Sequence, residues 1–156
     1  LGKAIGTSGN SIVYGGTSVG LMHAAAFATK ESGGKVIGVI PELIQSKGIA
    51  ADYADELLVT LDMKERKEVI REKSDAFIIL PGGVGTLDEC FEVLTWCQLD
   101  LIKNKKVGII NFKGYWNPLI LLIKHLINQE FMSPDNLNYF DEIKNISKLK
   151  KFLKNI

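Results

Sequence analysis

Residues 78–89 read IILPGGVGTLDE. An apolar run stops at Pro81, three glycines and a threonine follow, and a helical pattern then opens on acid. The apolar run reads as a strand and the glycine stretch as an anion-binding turn. Glycine lets backbone N–H groups come close to an anion, and the N-terminus of the next helix adds unpaired N–H donors with a partial positive charge. Glu89 then falls about one turn into that helix, beside whatever the turn holds.

The segments on either side alternate between strand and helix patterns. Residues 1–5 read as the last turn of a helix, closed by Gly6 and the polar run 7–11. Residues 11–14 form a short apolar strand, separated by Gly15, Gly16 and Gly20 from an alanine-rich helix over 21–31. The β-branched run 36–40, stopped by Pro41, predicts a strand buried on both faces. Residues 42–55 carry little pattern and read as a loop with one helical turn. A strand over 56–60 leads to Asp62 and Glu65, an acidic capping box opening a helix over 63–73. After the strand 76–80 come a helix from Thr86 to about Ile102 and a strand over 107–111. A turn at 112–115 follows, then a helix over 116–130 with Pro118 in its first turn. A short strand at 137–140 and an amphipathic helix at 146–153 complete the chain. Such alternation predicts an α/β fold with a doubly wound parallel sheet. Ligands of these sheets sit beyond the carboxyl ends of the strands, where both glycine turns fall.

At 156 residues the chain fits one domain, long enough to bury roughly 68–70% of its unfolded surface. Hydrophobic residues at 46% and charged residues at 24% are ordinary for a globular protein. A net charge of +1 gives no field that would select nucleic acid or an anionic membrane. The late lysines alternate with Ile146, Leu149, Phe152 and Leu153 at helical spacing and read as a solvated face. The two cysteines, Cys90 and Cys97, share a helical stripe with Leu94 and Leu101, lack metal-site spacing and lie two turns apart, out of disulfide reach. This pattern fits a reducing cytoplasm, and no apolar run approaches the roughly 20 residues of a membrane span.

Residues 81–89 resemble the PGGxGTxxE signature of the Lonely Guy family, the cytokinin riboside 5′-monophosphate phosphoribohydrolases often mislabelled as lysine decarboxylases. A Met-x-x-Arg-Lys segment of that family is matched by Met63, Arg66 and Lys67, and its YGG turn leading to GLM by residues 14–22. Similarity continues through 34–41, 95–99 and 115–119. The resemblance implies a Rossmann-like homodimer that hydrolyses the N-glycosidic bond of an N6-modified or plain adenosine 5′-monophosphate without cofactor or metal. It implies Arg66 and Glu89 as the catalytic pair. Gly15, Gly16, Met63, Arg66, Lys67, Gly82, Gly83, Val84, Gly85, Thr86 and Glu89 are the implied contacts to a purine nucleoside 5′-monophosphate. Cleavage of C1′–N9 develops positive charge on the ribose and negative charge on the departing base, which suits a carboxylate near C1′ and a cation near the base. A lysine decarboxylase would need a pyridoxal phosphate site with a Schiff-base lysine, which nothing in the sequence suggests.

Three departures qualify the match. Thr17 stands where relatives carry glycine, which requires a negative φ there. Gly48 and Ile49 occupy the loop where relatives place an acidic residue, leaving the choice of base open. The family's first strand, which lies between the strands at 11–14 and 76–80, is absent, so residues 1–156 read as a single N-terminally truncated domain. Plainer readings compete at several positions. Thr86-x-x-Glu89 is itself a capping-box pattern. Arg66, among Lys64, Lys67 and Arg71, fits a solvated helix face. His23 reads as local packing, His125 as structural, and Trp96 and Trp116 as core or dimer-contact residues. A nucleotide-binding sensor or carrier without turnover is the alternative function.

Overall fold

The computed structural model describes residues 1–156, which fall into two compact units, Leu1–Ser74 with Leu153–Asn155 and Asp75–Phe152 with Ile156. Both are α/β, and each carries a three-stranded, wholly parallel sheet.

The first unit runs α1 (Gly2–Thr7), β1 (Ile12–Tyr14), α2 (Gly20–Glu31), β2 (Val36–Pro41), α3 (Glu42–Gln45), β3 (Glu56–Thr60) and α4 (Met63–Lys73). Its strand order is β1-β2-β3, with Ile12 opposite Val36 and Val39 opposite Leu58. The β-branched run expected to be buried on both faces is the central strand, where Val36, Val39 and Ile40 have no exposed surface. Gly6 does not close α1, which continues to Thr7 and is capped at Ser8. Instead, Gly2 and Gly6 let α1 cross α2 backbone to backbone, since a Cβ on them would lie 2.1 Å from the Ala25 carbonyl and 2.7 Å from that of Thr29.

Helix α4 starts where the capping pattern places it. Asp62 Oδ1 accepts from the Glu65 N–H at 2.8 Å, and Glu65 Oε2 reaches back to the Leu61 N–H at 2.7 Å. Asp62→Ala is therefore expected to lower stability by about 1 kcal/mol, read as a reduced urea midpoint at unchanged m-value.

The second unit runs β4 (Ala76–Ile79), α5 (Val84–Gln98), β5 (Lys106–Ile110), a 3-10 turn at Phe112–Gly114, α6 (Asn117–Asn128), a 3-10 stretch at Pro134–Tyr139, β6 (Asp141–Ile143) and α7 (Ile146–Leu153). Strand order is β4-β5-β6, and Gly108 on the central strand makes room for Ile143 and Phe152. Two expectations are corrected here. The last strand is 141–143 rather than 137–140. Ser133 Oγ accepts from the Asp135 N–H, and buried Asn136 donates back to the Ser133 carbonyl at 2.8 Å. These local bonds commit the preceding residues to a turn. Helix α5 opens at Val84 rather than Thr86 and ends at Gln98, after which Asp100 takes φ +56. Leu101 thus lies beyond the helix, 55% exposed, and only Cys90, Val93 and Leu94 form its buried stripe.

Candidate active site

In the first unit the candidate residues gather at the turn that follows β1. Gly15 and Gly16 are buried, and Gly16 adopts φ +70, a conformation that favours glycine. Thr17 is absent from the residues with positive φ, so the threonine is tolerated, and its hydroxyl donates to Met22 Sδ at 3.4 Å. Arg66 comes up against this turn from α4. It is only 9% exposed, its Nε donates to the Val39 carbonyl at 3.3 Å, and its Nη2 lies 2.5 Å from where a Cβ on Gly15 would sit. A cation that deep costs desolvation energy, so the reading of Arg66 as a solvated helix face fails. Lys67, next on the helix, is half-buried, and Met63, the first residue of α4, is 46% exposed.

His23 packs locally, as its sequence position suggests. Its Nδ1 lies 3.0 Å from the Tyr53 hydroxyl and its ring 5.7 Å from that of Phe27. Tyr53 in turn takes a 3.1 Å hydrogen bond from the Tyr14 hydroxyl. Burial, reinforced by Tyr53, pushes the Tyr14 phenol well above its ordinary pKa, so it stays a donor.

In the second unit the chain leaves β4, passes Pro81 and Gly82, and enters α5 with Gly83 as N-cap. The first helical bond runs from the Leu87 N–H to the Gly83 carbonyl at 3.1 Å. The N–H groups of Val84, Gly85 and Thr86 precede it and have no helical acceptor, the arrangement that receives an anion. Thr86 folds back over the turn, because a Cβ on Gly82 would stand 2.1 Å from its Oγ1 and 2.8 Å from its Cβ. Gly82→Ala must open this turn and is expected to cost about 1–3 kcal/mol, seen in urea denaturation, whereas a Cβ on Gly83 meets nothing and Gly83→Ala should cost less.

Glu89 is half-buried and is the sixth residue of α5. Thr86 is the third, so it cannot be the N-cap, and the capping-box reading of Thr86 and Glu89 fails. No group of three His, Cys, Asp or Glu side chains converges as a metal-holding site. Cys90 is free and buried, its thiol pushed up to about 11 by burial, and Cys97 is free with its thiol raised for the same reason. Neither has the lowered pKa of a reactive thiol.

One residue of this turn escaped sequence reasoning. The Tyr115 hydroxyl donates to the Gly82 carbonyl at 2.8 Å. Two sequence signals touch it, its place at the start of the family-like stretch 115–119 and its position just after the Lys113-Gly114 turn, but neither names its partner.

A family model described as "Possible lysine decarboxylase" matches residues 22–153. A cytokinin riboside 5′-monophosphate phosphoribohydrolase of Rhodococcoides fascians is 47% identical over 135 residues, 86% of this chain and 68% of the relative. One from Arabidopsis thaliana is 40% identical over 139 residues, 89% of this chain and 60% of the relative. A probable one from rice, Oryza sativa subsp. japonica, is 43% identical and is covered over 53% of its length. The chain therefore spans between about half and two-thirds of the length of these curated relatives. Among solved structures, the molybdenum cofactor carrier protein of Chlamydomonas reinhardtii superposes with a TM-score of 0.69 at 23% identity, over 98% of this chain and 81% of that one. The molybdenum cofactor binding protein of Rippkaea orientalis gives 0.70 at 22% identity, over 98% and 83%. These two likenesses establish the fold, Rossmann-like α/β. The chain belongs to the Lonely Guy family, whose family model carries the lysine decarboxylase description.

Proposed function

We propose that the protein hydrolyses the N-glycosidic bond of a purine nucleoside 5′-monophosphate, adenosine 5′-monophosphate or an N6-modified form of it, releasing free base and ribose 5-phosphate. The observation that carries this reading is the start of α5 at Val84. It leaves three N–H groups and the Thr86 hydroxyl for a 5′-phosphate. It also sets Glu89 about 7.5 Å further along the helix axis from Val84, on the scale of the span from a nucleotide's phosphate to its C1′. The named activity of the Rhodococcoides fascians relative supports it.

In the proposed reaction the C1′–N9 bond breaks with its electron pair leaving on the base. The Glu89 carboxylate faces the positive charge developing on the ribose and accepts a proton from the attacking water, whose oxygen bonds to C1′. The departing base takes up a proton from solvent at nitrogen and Glu89 releases the water's proton to solvent, so that one water is consumed and the carboxylate is restored. Arg66, with Lys67, supplies positive charge toward the negative side of the reacting nucleotide. The phosphate fixes C1′ against Glu89, so its contribution appears in rate as well as binding. The reading extends to a homodimer in the cytoplasm. Exposed Leu21, Met22 and Phe27 on α2 support the first, and two free cysteines support the second. No helix is long and apolar enough to cross a membrane.

The test is chromatographic detection of free adenine from AMP and of free isopentenyladenine from isopentenyladenosine 5′-monophosphate. Release from either is the expected result, and release from neither overturns the proposal. Nucleotide binding without release would instead mark a carrier or sensor.

A further inference from the structure

Tyr115 is 52% exposed, and water alone could satisfy its hydroxyl, yet the hydroxyl is seated on the Gly82 carbonyl at 2.8 Å. The turn that delivers it is unusually committed. Lys113 and Gly114 both take positive φ, +56 and +73, and a Cβ on Gly114 would stand 2.6 Å from Asn117 Nδ2. Buried Asn111 holds the turn from behind. Its Oδ1 accepts from the Trp116 N–H at 2.7 Å, and its Nδ2 donates to Asn117 Oδ1 at 2.9 Å and to Glu142 Oε1 at 2.5 Å. The Asn111 bond, with help from Lys144, keeps the Glu142 carboxyl below its ordinary pKa despite desolvation, so it stays an acceptor. The buried ring of Trp116 stands edge-on to that of Tyr115, with centroids 4.9 Å apart.

The acceptor also matters. Gly82 and Gly83 are joined by a peptide flanked by two residues without Cβ atoms, so its plane is free to rotate through conformations closed to other residues. In a trans peptide the carbonyl and the following N–H point in opposite directions, and no cis bond occurs in the chain. Seating the Gly82 carbonyl on Tyr115 therefore turns the Gly83 N–H the other way, away from Tyr115.

We infer that Tyr115 is a positioning residue that latches the Gly82–Gly83 peptide in one orientation, so that the Gly83 N–H joins the donors offered to a substrate 5′-phosphate. This rests on the reading of the turn as the phosphate site. It makes Tyr115 a determinant of the preference for phosphorylated ligands, although it touches none of the reacting atoms.

The experiment is calorimetric binding of ribose 5-phosphate and of adenine to the full chain and to Tyr115→Phe, with thermal denaturation of both. The phenyl ring keeps its contact with Trp116, so the expected result is an unchanged melting temperature. Ribose 5-phosphate binding should weaken about 3–10-fold, the loss of one hydrogen bond's effect, while adenine binding is unchanged. Equal ribose 5-phosphate binding by the two proteins overturns the latch, as does a parallel loss for both ligands, with or without a lowered melting temperature. So does a wild-type protein that binds no ribose 5-phosphate. Base release from AMP, assayed separately, decides the proposed hydrolysis independently of these binding results.

Discussion

Glu89→Gln is expected to reduce kcat for base release by about 10²–10³-fold, with little change in nucleotide affinity or melting temperature. The two side chains have nearly the same shape, and at the sixth position of α5 neither has a helix end to cap, since Gly83 is the N-cap. In the proposed reaction the substitution removes the charge that would face the ribose and the capacity to accept a proton from water. Both matter mainly in the transition state, so the loss belongs in kcat rather than KM. Steady-state rates for wild type and variant, measured with calorimetric nucleotide affinities, check this. A variant within threefold of wild type would remove Glu89 from the chemistry.

Arg66→Ala should lower kcat/KM by about 10²-fold or more, and it can be paired with a variant that leaves Arg66 in place. The guanidinium lies against Gly15, and a Cβ there would be 2.5 Å from Nη2. Gly15 is not at positive φ, and Nη2 is the far end of a flexible side chain, so Gly15→Ala should move the cation while leaving the fold intact. If the seat of Arg66 on the turn matters, Gly15→Ala shares the loss in kcat/KM at nearly unchanged stability. Wild-type activity in Gly15→Ala would show that the seat is dispensable.

Most of the fold was legible because its elements carry strong local signals. The Asp62–Glu65 capping box set the start of α4 to the residue, and the β-branched run before Pro41 announced a doubly buried strand. The misread elements lacked such signals. Residues 137–140 carry apolar and aromatic side chains fit for a strand, but Ser133 and Asn136 spend their polar groups on the local backbone, and pairing with β5 begins only at Asp141. At α5, Thr86 looked like an N-cap because threonine caps helices. Gly83, which offers no side-chain bond, caps it instead, and that shift removes the capping-box reading of Thr86 and Glu89.

The candidate residues were named through family resemblance, not periodicity, and the pattern around Arg66 pointed the wrong way. Lys64, Lys67 and Arg71 suggest a wet face, whereas burial of Arg66 depends on Gly15 and Val39, distant in sequence. Tyr115 was invisible for the same reason: its partner is a carbonyl 33 residues away.

The Asn111 hub also bears on how this region can change over time. One buried amide serves the Trp116 backbone, Asn117 and Glu142, so losing any partner strands a polar group whose burial costs about 1–3 kcal/mol. Positions 111, 117 and 142 then behave as a single inherited character, with strongly non-additive effects. A chimaera that takes β5 from one homologue and β6 from another would receive half of a network, and drift at these sites should proceed by paired replacement rather than by single steps.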